Sequence, residues 1–131
     1  MDEVNFRKYL IEHKLSTKVI GDYIYRCRRV EKYEGDLDVH YKLDEGNSLL
    51  SRLTYTKQDE KMRCQPSHSI DFKGTNGYKS IYDGTNSLRY AVNKYFEFKH
   101  DRLMTELKSP SSSHFGTDVI DNKMFNTRKN C

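Results

Sequence analysis

The sequence predicts an all-α protein, a compact bundle of four to five helices, and three observations carry that prediction. Apolar residues recur at helical spacing over residues 16–35. A second such pattern runs from Thr85 or Asn86 to about residue 107 with no glycine or proline in it. The chain has 131 residues, of which 35% are hydrophobic, and a mean hydropathy of -0.93. It is therefore long enough for one domain with one small core.

The helix over residues 16–35 has the clearest pattern, and the other elements are arranged around it. Ser16 suits the N-cap because its hydroxyl can accept a hydrogen bond from an unpaired backbone N–H, and Gly35 suits the C-terminal cap because it turns left-handed without a Cβ clash. The apolar face consists of Val19, Ile20, Tyr23, Ile24, Cys27 and Val30. A second face carries Tyr25, Arg28, Arg29 and Lys32. One face can build a core while the other meets an anion.

The first half of the chain holds several shorter segments. They are a helix from Asp2 to about His13, an acidic connector at 36–47 that is either a short helix or extended chain, a helix at 47–55, and a short helix from a Thr56 cap to about Cys64. The link between the first two helices is only a few residues long, so these helices must pack side by side.

The second half begins with residues 65–84, which are rich in glycine and predict a loop. Within them, the short runs 69–72 and 78–82 offer a small β-hairpin as the alternative. The long helix that follows should close the bundle against helix 2. Its predicted buried face consists of Leu88, Ala91, Val92, Tyr95, Phe96 and Leu103. A serine-rich stretch around Pro110 then breaks the helix, which divides the chain into a helical domain at 1–108 and a flexible linker or tail at 109–131.

The charge and the cysteine content indicate which type of partner and which cellular compartment to expect. The formal net charge of +4 comes from 23 basic and 19 acidic residues, which mildly favours an anionic partner. Cys27, Cys64 and Cys131 are widely spaced and odd in number, which argues against a disulfide framework and for a reducing compartment. No apolar run approaches the roughly 20 residues that span a bilayer, and no secretory pattern opens the chain. These features predict a cytoplasmic protein.

Residue types that carry catalysis or bind metals form no recognisable site. Cys64 and His68 are the one close pair of soft ligands, and no second half-site accompanies them. Hydrolase, zinc-protease and phosphate-cradling motifs are missing from the sequence. Asp71 with Lys73 would fit a metal-nuclease pattern, but such pairs are common where 32% of residues are charged. We therefore expect no enzyme activity, no metal and no cofactor.

The basic face of helix 2 is the better candidate for a binding site. Cations beside an aromatic ring suit pairing with phosphate oxygens and packing against sugars. Arg89, Asn93 and Lys94 on the last helix would form an opposing wall if the two helices brought them together. The alternative is a solvated face whose charges are balanced by acidic neighbours such as Asp22 and Glu31.

Three runs also share a family pattern, namely FRKYLIEHKLSTKVIGDYIYRCRRVEKYEGDL, LLSRLTYTKQDE and SLRYAVNKYFEF. Over about residues 5–100 they resemble the SAM-like N-terminal core-binding domain of tyrosine recombinases and phage integrases, and similar helical modules of bacterial defence proteins. The resemblance implies a helical bundle that clamps one side of a DNA duplex through phosphate contacts. Carried onto this chain, it places the following residues among the contacts: Lys18, Tyr25, Arg28, Arg29, Lys32, Arg89 and Asn93.

The recombinase catalytic residues do not follow this region, so strand cleavage is not expected, and the chain is either a free-standing protein or the first domain of a longer one. Our first hypothesis is a non-enzymatic DNA-binding module of a phage, mobile element or defence system, with duplex DNA as its partner. The second is a phage-encoded protein-interaction module that inhibits or regulates a host nucleic-acid-processing complex, such as a nuclease. An acidic connector beside a basic helix favours protein docking.

Overall fold

The fold was described from a computed structural model that covers residues 1–72 and 77–106. Within these ranges the chain forms helices and no strand, so the all-α prediction is confirmed. The described residues form six helices, one more than the four to five predicted, because the acidic connector is itself helical. The helices are α1 (Glu3–Glu12), α2 (Thr17–Glu34), α3 (Leu37–Asp44), α4 (Asn47–Arg52), α5 (Lys57–Lys61) and α6 (Tyr78–Glu106). The predicted tail at 109–131 lies outside the described residues.

The helix boundaries follow from capping chemistry at the predicted residues. The Asp2 carboxylate accepts a hydrogen bond from the backbone N–H of Asn5 at the start of α1. The Ser16 hydroxyl accepts one from Val19 at the start of α2, and Gly35 ends that helix with a φ of 94°. Thr56 forms a full capping box with Asp59 at the start of α5. Each cap satisfies backbone groups that the helix leaves unpaired.

The core lies where α2 packs along α6, and α1, α3 and α4 also pack against α6. Tyrosine and phenylalanine rings supply much of it, as the composition predicted. The Phe6 ring meets Tyr95 edge-on at 5.0 Å and Phe98 at 5.5 Å, and Tyr95 is fully buried. Aromatic pairs at these distances add packing energy to the burial of their area.

The start of α6 corrects the prediction for residues 65–84. The helix begins at Tyr78, not at Thr85 or Asn86, so residues 78–82 are helical and the β-hairpin alternative is wrong there. Gly84 suggested a loop, yet it sits inside the helix against the Phe72 ring, where an added Cβ would lie 2.3 Å from Cε1. A glycine is therefore needed at this position to leave room for the ring, although glycine is a poor helix former.

Leu103 was predicted to be buried and is exposed. The last turns of α6 meet α1 through polar contacts instead. The Tyr9 hydroxyl donates to the Asp101 carboxylate at 2.7 Å, and the Arg102 guanidinium lies 3.1 Å from the Asp2 carboxylate. These neighbouring positions turn Leu103 away from the aromatic core.

The acidic connector forms α3, and much of its charge is used inside the molecule. The Met1 ammonium lies 3.0 Å from the Asp36 carboxylate and 2.9 Å from that of Glu31 in α2. Asp38 accepts a hydrogen bond from the Tyr95 hydroxyl and pairs with Lys99 at 3.3 Å. These carboxylates hold the N-terminus, α3 and α6 together.

Both described cysteines are buried. Cys27 is a free thiol whose sulfur donates to the Ala91 carbonyl at 3.5 Å, as expected for a small buried residue on the apolar face of α2. Among the described helices, none combines the length and the apolar character that a membrane span needs.

Candidate functional site

The outer face of α2 presents a line of three exposed side chains that we call the outer stripe: Lys18, Tyr25 and Lys32. They are seven residues apart, which is close to two helical turns, and so they share one side of the helix. Lys18 is 86% exposed and Tyr25 is 63% exposed, and Lys32 is exposed as well. The opposite side of α2 is buried against α6. The predicted apolar face is confirmed at Ile20, Ile24, Cys27 and Val30, which are buried, and is wrong at Val19, which is 38% exposed near the start of the helix.

Arg28 lies on one flank of the outer stripe, where it is anchored to α1. Its Nε donates to a Glu3 carboxylate oxygen at 2.9 Å, and its Nη2 donates to the other oxygen at 2.6 Å. The Arg28 hydrogen bonds hold the pKa of Glu3 below its ordinary value. Arg28 remains 59% exposed. Its guanidinium is thus fixed in direction while one edge still faces solvent.

Arg29 lies on the other flank and is anchored to the segment before α6. Its Nη2 donates to the Asp71 carbonyl at 2.7 Å, and its guanidinium stacks 4.9 Å from the centre of the Phe72 ring. A backbone acceptor and a cation–π contact together restrict the rotamers of this side chain. The two arginines are therefore held by different parts of the fold on either side of the outer stripe.

The two lysines of the outer stripe are held more loosely. Lys18 pairs with Asp22 at 3.6 Å, one turn along the same helix, and the Lys32 ammonium lies 5.6 Å from the Tyr33 ring. Exposed pairs of this kind contribute about 0.3–0.5 kcal/mol. Both ammonium groups can therefore exchange these contacts for a phosphate at little cost.

Arg89 and Asn93 are both exposed on α6. The contacts between α6 and α2 include other residues: the Ala91 carbonyl accepts a hydrogen bond from α2, and the Tyr90 ring meets the Tyr23 ring edge-on at 6.2 Å. A helical pattern shows which residues of α6 share a side but not how far they lie from the outer stripe. The opposing wall therefore stays a prediction.

The described residues contain no group of three or more His, Cys, Asp or Glu side chains placed to hold a metal ion. Both ring nitrogens of His68 are instead in hydrogen bonds with neighbouring protein groups. The metal-nuclease pattern considered for Asp71 and Lys73 cannot be assessed, because Lys73 lies outside the described residues. Sequence reasoning missed Glu3 and Phe72, the residues that hold Arg28 and Arg29, since contacts over 25 and 43 positions leave no local pattern.

Comparison with known proteins found no match to a family model, a curated protein or a solved structure. The resemblance to recombinase core-binding domains therefore stays a prediction.

Proposed function

We propose that this protein is a non-enzymatic nucleic-acid-binding module that contacts the backbone of duplex DNA with the outer face of α2. One observation carries the proposal: two anchored arginines, Arg28 and Arg29, flank an exposed line of Lys18, Tyr25 and Lys32. Phosphate contacts of this type set position along a duplex and carry no sequence information. We therefore expect binding with little sequence preference.

The anchoring of the arginines favours binding because it reduces the entropy lost when a phosphate is engaged. Each guanidinium has five N–H donors, and the anchoring contacts leave some of them available. For Arg28, the bonds to Glu3 involve Nε and Nη2, so Nη1 can turn to a phosphate oxygen. The Tyr25 ring offers a flat apolar surface next to these donors, suited to a sugar.

A gel shift titrated with salt tests the proposal directly, with duplex DNA, single-stranded DNA and RNA as ligands. If the two lysines and two arginines each meet a phosphate, log affinity should fall against log salt with a slope of about -3.6, at about -0.9 per contact. The double variant Lys18→Ala/Lys32→Ala should weaken binding and flatten that slope by about 1.8, because two contacts are lost.

The matched control is Lys42→Ala/Lys61→Ala, which removes the same charge from exposed positions on α3 and α5. It should leave affinity close to that of the parent protein. Equal losses in the two double variants would mean that total charge, not the outer stripe, drives binding. Undetectable duplex binding at low salt would overturn the proposal.

A protein-interaction module is the second candidate, and one observation on α3 favours it. Val39 and Leu43 are four residues apart on one side of the helix, and both are more than half exposed. Paired exposed apolar side chains suit a protein partner such as a host nuclease. The electrostatic argument for docking is weaker than the sequence suggested, because Asp36 and Asp38 are engaged internally. Val39→Asp/Leu43→Asp should abolish nuclease binding and spare DNA binding if this surface is the functional one.

A further inference from the structure

Residues 68–72, which we call the strap, lie against α2 and α6 and hold Arg29 in place. The Ser69 backbone N–H and hydroxyl both donate to one Glu34 oxygen at 2.7 Å. At the other end of the strap, the Asp71 carbonyl and the Phe72 ring contact Arg29. The strap therefore connects the end of α2 to one flank of the outer stripe.

His68 fastens the start of the strap through both of its ring nitrogens. It is 7% exposed, its Nδ1 accepts from the Ile70 backbone N–H at 3.1 Å, and its Nε2 lies 2.8 Å from the Thr85 hydroxyl of α6. Because Nδ1 is the acceptor, the proton of the neutral ring must be on Nε2. Its ring also meets Phe72 edge-on at 5.6 Å. The hydrogen bond from Ile70 to Nδ1 therefore requires the neutral ring with its proton on Nε2.

We propose that His68 is a pH-operated latch, in which protonation of Nδ1 breaks the bond to Ile70, opens the strap and releases Arg29. A proton on Nδ1 would point at the Ile70 N–H, so two donors would face each other in a buried site. The histidine would have to leave its position next to Thr85 to regain solvent. Opening of the strap is the motion that allows this.

The environment of His68 determines whether the strap opens at low or at high pH. Burial lowers the pKa of His68, and the nearby Glu34 carboxylate on α2 partly offsets this; the net change is a lowered pKa. The Glu34 charge is itself neutralised by Arg52 of α4 at 3.0 Å, Thr85 is the neutral partner from α6, and Arg29 and Asp71 lie at the far end of the strap. A histidine pKa that is lower in the closed state leaves closure fully favoured above about pH 6.5, and closure is progressively lost as pH falls from there to the closed-state pKa.

The experiment is hydrogen exchange at the Ile70 amide, measured by NMR on the full chain without ligand from pH 7.5 to pH 5. Once corrected for the intrinsic pH dependence of exchange, Ile70 protection should fall by up to about tenfold per pH unit below about pH 6.5, the ordinary pKa of the released ring, because opening takes up one proton. The Val92 amide in the core reports global unfolding and should keep its protection. His68→Asn supplies an amide oxygen for the Ile70 N–H and does not titrate, so protection in this variant should not change with pH.

The possible results separate clearly. Loss of protection at Ile70 alone, absent in His68→Asn, supports the latch. Constant Ile70 protection while the His68 ring titrates overturns it, and so does a parallel loss at Val92. If His68→Asn does not fold, the protection of the Ile70 and Val92 amides in the parent protein, together with the titration of its His68 ring, still distinguishes these outcomes. The effect on binding rests on the proposed function, in which low pH should weaken duplex binding because Arg29 is no longer held in place. If the protein binds no nucleic acid, the proposed function fails, but the hydrogen-exchange test of the latch is unaffected.

Discussion

Two glycines in this fold should respond in opposite ways to the same substitution by alanine. Gly46 lies between α3 and α4 with a φ of 81°, and an added Cβ would lie 2.1 Å from Cε2 of the buried Phe96 ring. A side chain in the left-handed region costs about 1–2 kcal/mol, and overpacking a core costs about 1–3 kcal/mol. Gly46→Ala should therefore destabilise the protein by about 2–5 kcal/mol.

Gly21 is the matched control because it lies inside α2 at an exposed position. An added Cβ there would meet nothing within 4 Å. Alanine is the better helix former, since glycine loses more backbone freedom on folding. Gly21→Ala should therefore stabilise the protein by about 0.5–1 kcal/mol.

Urea unfolding followed by far-UV circular dichroism measures both free energies of unfolding. The core explanation for Gly46 can be checked further with Phe96→Leu, which removes the ring edge that the new Cβ would strike. In a double-mutant cycle, Gly46→Ala should cost less in the Phe96→Leu background than in the parent. A loss below about 1 kcal/mol for Gly46→Ala, or additive losses in the cycle, would refute the reasoning from the close approach of glycine and ring.

Two further predictions concern α6 and the N-terminus. Gly84→Ala would place a Cβ 2.3 Å from the half-buried Phe72 ring; since that ring lies on the strap, it should move out, and nuclear Overhauser contacts between the ring and α6 should be lost with a smaller loss of stability than for Gly46→Ala. Burial lowers the pKa of the Met1 ammonium, but hydrogen bonds and charge from Glu31 and its neighbours outweigh this and raise the pKa from 8.0 to about 10. The resulting stability is complete below pH 8 and lost as pH rises through 10; two pKa units equal about 2.7 kcal/mol, and solvent screening reduces the expected loss to about 1–2 kcal/mol. Unfolding free energies at pH 7 and pH 10.5 should therefore differ less in Glu31→Gln than in the parent, and an unchanged difference would contradict the ion pair.

Several structural features of this protein could be predicted from sequence because they depend on residues within about four positions of each other. Ser16, Gly35 and Thr56 mark helix ends through local hydrogen bonds and backbone freedom, and all three were identified correctly. The rotation of α2 was also predictable, because the alternation of apolar and polar residues is a property of one helix. The exposure of Tyr25 follows from that rotation.

Tertiary structure decided the features that depend on contacts between distant parts of the chain. Gly84 looks like a loop residue in the sequence, yet it lies inside α6, which begins at Tyr78, with the Phe72 ring packed against it. Arg28 looks like a free surface cation until Glu3 is found beside it. The side of α6 that carries Arg89 could not be related to α2 from periodicity, because a helical pattern shows which residues share a face and not which neighbour that face meets. Contacts of this kind arise only when the whole bundle packs, and they determine which of the predicted cations lie together.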